Sequence, residues 1–483
     1  MKQKSLIKNI FYNFIYTGIN LLYPLITAPY ISRILGASNL GEVNLATTIV
    51  NWFILFAVFG TTTYGVREVA KIRDNRQQLN KLFSEIIIIN GILSFIVTAI
   101  FYITIFNIDK LNSEYLLYMI LSISIILNIF SIDWFFQAIE EYKYITIRNA
   151  LIKIFSLVCI FLFVQEEEHY IIYGLISVIA TSLNGVLNFI YSKKYVKLQF
   201  KNINPMRHIK SLSVFFMHTF VVNIYTNADQ VLLGFLIDTK SVAFMNRTKM
   251  ITSLAISLST AITNVTLPRA SYYIKNDIKK FKQLLNVVSN YILWITVPIS
   301  LGCICLASNI MYILGGKEFL DATFLLQIMS LTIIFAPLST YLQYQVLVAA
   351  GKEKLGLYCA IITSILSLIL NIILIPSIGF IGTGITQTLS QILAVLLRYY
   401  IAKGKLDYKE ISFINKSTIS YLSAALLMCG IVIYIKLLIS NLFISFVVGL
   451  IVGALVYFIT LVLLKEKVML SVLGKIRKRN TRS

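Results

Sequence analysis

From end to end, the chain alternates hydrophobic stretches of about 20 residues with short polar segments. A helix needs roughly 20 apolar residues to cross about 30 Å of hydrocarbon, so the pattern predicts membrane-spanning helices. Fourteen such stretches lie at approximately 9–31, 40–66, 84–106, 114–136, 150–164, 170–191, 213–237, 248–267, 284–312, 322–348, 355–375, 380–401, 418–439 and 443–464. The fifth is the shortest and carries Lys153 near its start. Connecting loops do not exceed about 20 residues, so no soluble domain is expected on either face. Any chemistry must then sit within the helix bundle or at its mouths.

Composition agrees with the pattern. With 58% hydrophobic and 13% charged residues among 483 and a mean hydropathy of +0.80, the chain exceeds what a soluble fold carries. Its start is basic and then apolar, but it lacks a small-residue cleavage site and should be retained as the first span. Cys159, Cys303, Cys305, Cys359 and Cys429 all fall inside hydrophobic stretches. Their spacing fits no zinc or disulfide framework, so packing is their expected role and no metal or cofactor is expected.

Charge orients the spans. Of 43 Lys and Arg residues, 36 fall on the side of the N-terminus when the fourteen stretches are threaded. The other side keeps only Arg33, Lys110, Lys240, Arg247, Lys249, Lys317 and Lys436. Cytoplasmic loops are enriched in Lys and Arg, which places both termini in the cytoplasm of a cell membrane. Glu166, Glu167 and Glu168 then fall outside. The net charge of +22 is topological, with anionic lipids as partner of the inner face. Nucleic acid is a poor partner, because the basic residues are spread over eight short segments.

The chain also resembles itself. Residues from Tyr64 (YGVREVAKIRDNRQQLNKLF) lie over those from Thr266 (TLPRASYYIKNDIKKFKQLL) at a shift of 202. Near a shift of 210, residues 142–155 resemble 352–365, and at 208 Gly174 and Tyr191 match Gly382 and Tyr399. A repeat of six spans is parallel, related by an axis along the membrane normal, with a substrate site between the halves. The expected architecture is an all-α membrane protein of 14 transmembrane helices. Two six-helix bundles, 1–212 and 213–417, form a parallel pseudo-twofold repeat, and 418–483 adds helices 13 and 14 with a basic tail.

Polar residues inside spans mark pathways, because charge in hydrocarbon is costly. In the seventh span, Thr219, Asn223, Thr226 and Asn227 share one face at the helical period, with His218 and Asp229 at its edge. That face reads either as a lumen wall for sugar hydroxyls or as interhelical hydrogen bonding. Asp229 is a candidate coupling group, with His218 beside it. Asp133 sits at the inner end of the fourth span beside Trp134, where it either snorkels to interfacial water or takes part in coupling. Arg33, Arg247 and Lys249 stand against the charge rule near the outer ends of spans 1 and 8. They are candidates for a pyrophosphate, which guanidinium and ammonium groups hold well, or else interface anchors. Pro24 and Pro29 can kink the first span, and Gly379, Gly382 and Gly384 can permit close packing. Glu140 with Glu141, and the 166–168 run, read as solvated loop charge.

The segment NFIYTGINLLYPLITAPYISRILGASNLGEVNLATTIV from Asn13, followed by YGVREVAKIRD from Tyr64, resembles the N-terminal signature of bacterial polysaccharide transporters. These are the Wzx-type flippases of O-antigen and capsule repeat units, in the superfamily of multidrug extruders and the lipid II flippase. The resemblance implies flipping of undecaprenyl-pyrophosphate-linked oligosaccharide from the cytoplasmic to the outer leaflet by alternating access, without enzymatic activity. It also implies a groove for the lipid tail at helices 13 and 14, and a polysaccharide polymerase and chain-length regulator as partners. By position, the family motif falls on Arg33, Arg67 and Glu68. A cation-coupled drug antiporter is the nearest alternative. A membrane polymerase would need a large outer catalytic loop, which the chain lacks.

Overall fold

A computed structural model describes residues 6–404, 406, 408 and 412–470. The basic tail from Lys475 lies outside the described residues. Among the described residues all regular structure is helical. In chain order the helices are α1 (Leu6–Val58), α2 (Thr61–Ile72), α3 (Arg76–Asn107), α4 (Asp109–Asn112), α5 (Tyr115–Leu127), α6 (Asp133–Ala138), α7 (Tyr142–Phe163), α8 (Tyr170–Ser192) and α9 (Ile209–Leu236). They continue with α10 (Thr239–Asn276), α11 (Ile278–Cys305), α12 (Ala307–Gly315), α13 (Thr323–Ser330), α14 (Thr332–Tyr341), α15 (Glu353–Ile378), α16 (Phe380–Gly404), α17 (Lys416–Leu438) and α18 (Leu442–Leu463).

Among the described residues, eleven helices are long and apolar enough to cross a membrane, or up to 12 if a bent pair within α10 is one span. The difference from the fourteen expected stretches has local causes. Residues 11–72 form one continuous candidate, although Gly36 breaks α1 with φ 69° and ψ 174°. Only glycine takes that conformation without strain, so Gly36 is where the first apolar stretch gives way to the second. α9 is long enough to span, yet its Thr, Asn, His and Asp residues keep it out of the eleven. The fifth span begins earlier than expected: α7 starts at Tyr142 rather than near 150, which places Arg148 and Lys153 inside the helix.

The chain packs as two units, Met1–Ala243 and Phe244–Ser483. In the first, α2, α3 and α6 enclose Tyr64, Val69, Phe83, Trp134, Phe135 and Phe136. Gly65 of α2 lies against the indole of Trp134, and a Cβ there would stand 2.4 Å from the ring. Gly65→Ala should therefore cost about 1–3 kcal/mol through overpacking, read as a fall in thermal midpoint that Trp134→Leu restores. α9 packs on α1 and α2 and so belongs with this unit. The second unit centres on Phe281, Tyr341, Tyr421 and Tyr457, with α17 and α18 packed together and α17 against α11. Gly382 and Gly384 allow close approach, to Leu374 and Leu325 respectively, whereas a Cβ at Gly379 would meet nothing within 4 Å and the residue instead takes a φ of 62°.

α11 starts at an Asp277 N-cap that accepts the Lys280 amide at 3.0 Å and the Lys280 ammonium at 3.1 Å. That amide bond, then the side-chain bond, lowers the Asp277 pKa below the ordinary carboxylate value. A depressed folded pKa means the cap contributes fully above the ordinary value and is lost as pH falls through the lowered one. Protection of the first-turn amides of α11 against hydrogen exchange should follow that fall, and Asp277→Asn should make it independent of pH.

Candidate functional site

The first unit holds an ion pair inside its helices. The fourth apolar stretch does not run as one α-helix: α5 ends at Leu127, Asn128–Phe130 form a 3₁₀ turn, and α6 starts at Asp133. Asp133 Oδ1 accepts Arg148 Nη2 from α7 at 3.0 Å and Asn188 Nδ2 from α8 at 2.8 Å. Arg148 Nε donates to Asn184 Oδ1 at 2.9 Å, and Nη1 donates to Asn188 Oδ1. The Arg148 side chain is only 4% exposed, and its guanidinium also lies over the Tyr144 ring, 5.6 Å from the centroid. Asp133 ties three helices together at the break, and 34% of its side-chain surface stays exposed.

The second unit repeats the contact at a shift of 210. The counterpart of Asp133 is Gln343, in a π-helical turn Leu342–Val348 that follows α14. The counterpart of Asn188 is Arg398 of α16, whose Nε donates to Gln343 Oε1 at 3.1 Å. Arg398 Nη1 donates to Ser339 Oγ at 2.5 Å. In both units one apolar stretch, 114–136 in the first and 322–348 in the second, is irregular, and a side chain from α8 or α16 bonds the residue at the irregularity. Such breaks free backbone groups that neighbouring polar side chains must satisfy.

A second polar cluster anchors α9. Glu85 of α3 has no exposed side-chain surface. It accepts the Asn204 amide at 2.7 Å, Arg207 Nη2 at 2.5 Å and His208 Nε2 at 2.9 Å. The Tyr64 hydroxyl lies 2.5 Å from the other ring nitrogen, Nδ1. Every polar atom of the Glu85 carboxylate is thus engaged by the segment that leads into α9.

The α9 stripe is where the sequence places it. Thr219 donates to the Phe215 carbonyl at 3.0 Å, Asn223 to that of Thr219 at 3.1 Å, and Thr226 to that of Val222 at 2.9 Å. Asn227 Nδ2 donates to Asn223 Oδ1 at 3.0 Å. Asp229 is buried and accepts the Gln230 amide at 2.9 Å, while Gln230 receives Thr48 of α1 at 2.7 Å. His218 is exposed, so it and Asp229 occupy different environments. Arg33 is exposed on α1 and donates to the Pro29 carbonyl at 2.9 Å. In the second unit Arg247 is buried, with its guanidinium 5.6 Å from the Phe319 ring centroid, and Lys249 is half-buried. Arg33 therefore belongs to the first unit, and Arg247 and Lys249 to the second.

Glu140 and Glu141 are not merely solvated loop charge. Glu140 receives Arg73 at 2.8 Å and Asn9 at 3.1 Å, and Glu141 receives the Tyr195 hydroxyl at 2.5 Å. Glu68 pairs with Arg67 at 2.7 Å and Lys71 at 2.9 Å. α11, α17 and α18 enclose an apolar cavity of about 390 Å³ lined by Trp294, Pro298, Leu306, Met428, Gly453 and Tyr457.

Residues 6–274 match the family model described as "Polysaccharide biosynthesis protein", and residues 215–373 match that of MatE. The "Putative O-antigen transporter" of Escherichia coli (strain K12) is 24% identical over 83% of this chain and 98% of its own length. "Capsular polysaccharide biosynthesis protein CapF" of Staphylococcus aureus is 23% identical over 82% of this chain and 99% of its own. Among solved structures, "Lipid II flippase MurJ, inward closed conformation" superposes with a TM-score of 0.77 at 20% identity, covering 93% of this chain and 98% of that one.

Proposed function

This chain belongs to the polysaccharide biosynthesis protein family, and we propose that it is a transporter that flips lipid-linked oligosaccharide between the leaflets of a membrane. The substrate is an undecaprenyl-pyrophosphate-linked repeat unit for capsule, O-antigen or another surface polysaccharide, moved from the cytoplasmic to the outer leaflet by alternating access. The observation that carries this reading is the family match over more than half the chain. The names of the relatives and the fold shared with a lipid flippase support it.

The finer assignment follows from the charge bias and the repeat. The protein lies in the cell membrane with both termini cytoplasmic and 14 spans. Residues 1–212 and 213–417 form two six-helix bundles, with 418–483 appended. The Asp133–Asn188 and Gln343–Arg398 contacts at one shift support the repeat. Arg33, Arg247 and Lys249 hold the pyrophosphate, and Thr219, Asn223, Thr226 and Asn227 meet the sugars. Asp229, His218 and Asp133 are the groups to test for energy coupling. The apolar cavity beside α17 and α18 takes the isoprenoid tail. A polymerase and a chain-length regulator act on the flipped product. Anionic lipids line the inner face.

A strain lacking the protein should accumulate undecaprenyl-linked repeat units on the cytoplasmic leaflet, and the wild-type chain should clear them. Absence of accumulation would sink the reading. The MatE match over residues 215–373 favours one alternative, a cation-coupled drug antiporter. Purified protein that exports cationic dyes and ignores lipid-linked sugar would decide for it.

A further inference from the structure

A second cavity, of about 560 Å³, opens between α7 and α8, within the range of roughly 300–1,000 Å³ usual for small-molecule sites. It lies at the end of these helices that the charge bias assigns to the cytoplasm. Its apolar wall is Ile147, Leu151, Leu187 and Ile190, and Leu151 is 63% exposed. Along α7 the exposed stripe continues through Ile154, Phe155, Val158 and Leu162. The opposite face of α7 carries Thr146, Asn149 and Ser156, which are buried and bond α1 through Tyr12, Asn20 and Tyr23. An unbroken apolar stripe outward, with the polar face turned inward, identifies the groove side as the one that meets lipid.

The mouth of the groove is basic. Lys143 lines it and is exposed. Lys194 lies over the Tyr191 and Tyr195 rings at 5.7 and 5.9 Å from their centroids, and Lys193 is adjacent. Among the described residues none of these three ammonium groups meets a carboxylate. Glu141, the acid at the rim, is engaged by Tyr195. The floor is rigid: Tyr144 and Tyr191 stack at 3.9 Å and 12°, and the Tyr144 hydroxyl donates to the Leu187 carbonyl at 2.9 Å. The Arg148 guanidinium donates to Asp133, Asn184 and Asn188, so it shapes the floor rather than holding a ligand.

We propose that this groove is a binding site for an anionic phospholipid of the cytoplasmic leaflet. Lys143 and Lys194 hold its phosphate, and an acyl chain lies along Ile147, Leu151 and Ile190. The charge complements a phosphodiester, and the negative surface potential of that leaflet supplies the ligand. The stacked tyrosines lie at the end of α7 and α8 that the charge bias assigns to the cytoplasm, and aromatic residues are enriched at membrane interfaces. The site is separate from the transported substrate, so it stands or falls independently of the flipping reaction.

The test is native mass spectrometry of the full chain titrated with dioleoylphosphatidylglycerol or dioleoylphosphatidylcholine. The wild type should retain one phosphatidylglycerol in preference to phosphatidylcholine. Lys143→Gln with Lys194→Gln should weaken that binding about thirty-fold. Lys197→Gln with Lys201→Gln removes the same charge from exposed positions outside the groove and should change it less than about two-fold. Equal losses in the two pairs would reduce the effect to general surface charge and overturn the site. Displacement of phosphatidylglycerol by an equimolar amount of undecaprenyl phosphate would also overturn it, by making the groove an entry point for substrate.

Discussion

Arg148→Ala should destabilise the protein by about 3 kcal/mol, at the low end of the range for breaking a buried pair. Asp133 keeps 34% of its side-chain surface exposed, and that partial access to solvent moderates the loss. The change leaves a carboxylate inside the bundle with Asn188 as its remaining partner, and it takes the donor away from the side-chain oxygens of Asn184 and Asn188. Asp133→Asn should cost less, since an amide carbonyl still accepts from Arg148 and Asn188. The double variant should recover part of the loss of Arg148→Ala, because it removes the uncompensated charge. A cycle of the four proteins, read by thermal midpoint and by transport, measures this coupling. Strictly additive midpoints would show that the ion pair contributes nothing beyond its parts.

Glu85→Ala should be at least as damaging, at about 3–5 kcal/mol. The buried carboxylate receives a backbone amide, a guanidinium and an imidazole from residues 204–208, and alanine leaves all three donors without it. Arg207 is 47% exposed and can turn to water. His208, which is buried, has no such recourse. Glu85→Gln keeps one acceptor oxygen but points an amide at a donor, and it should fall between the two. Because these bonds hold the entry to α9, hydrogen exchange across residues 209–212 should rise in Glu85→Ala before global unfolding. An unchanged exchange rate there would mean that the packing of α9 on α1 and α2 suffices to hold it.

Much of the architecture was legible because hydrophobicity acts locally. Apolar windows marked most of the helices long enough to span, and residues 142–155 resemble 352–365 in the sequence alone. The polar face of α9 followed from the helical period alone. The Arg148 cluster was not legible. Its helix begins with Tyr142–Asn149, a segment polar enough to read as loop, and its partners lie at positions 133, 184 and 188, on other helices. No window along the chain reports a contact between spans. The same holds for Glu85 and His208, 123 positions apart, and for Glu140, whose partners are Asn9 and Arg73. Gly36 could be read as a flexible residue, but only the backbone shows that its left-handed conformation separates two spans.

The bonds along α9 carry a chemical bias. The hydroxyl protons of Thr219 and Thr226, and an amide proton from each of Asn223 and Asn227, are committed within the helix itself. What the stripe turns outward is therefore richer in lone pairs than in protons. A surface of that kind welcomes groups that give hydrogen bonds, such as hydroxyls, water and ammonium, and offers little to a phosphate, which can only receive them. A molecule meeting this helix would be held by its donating groups, whatever its stereochemistry, and an anion would find its counterpart elsewhere.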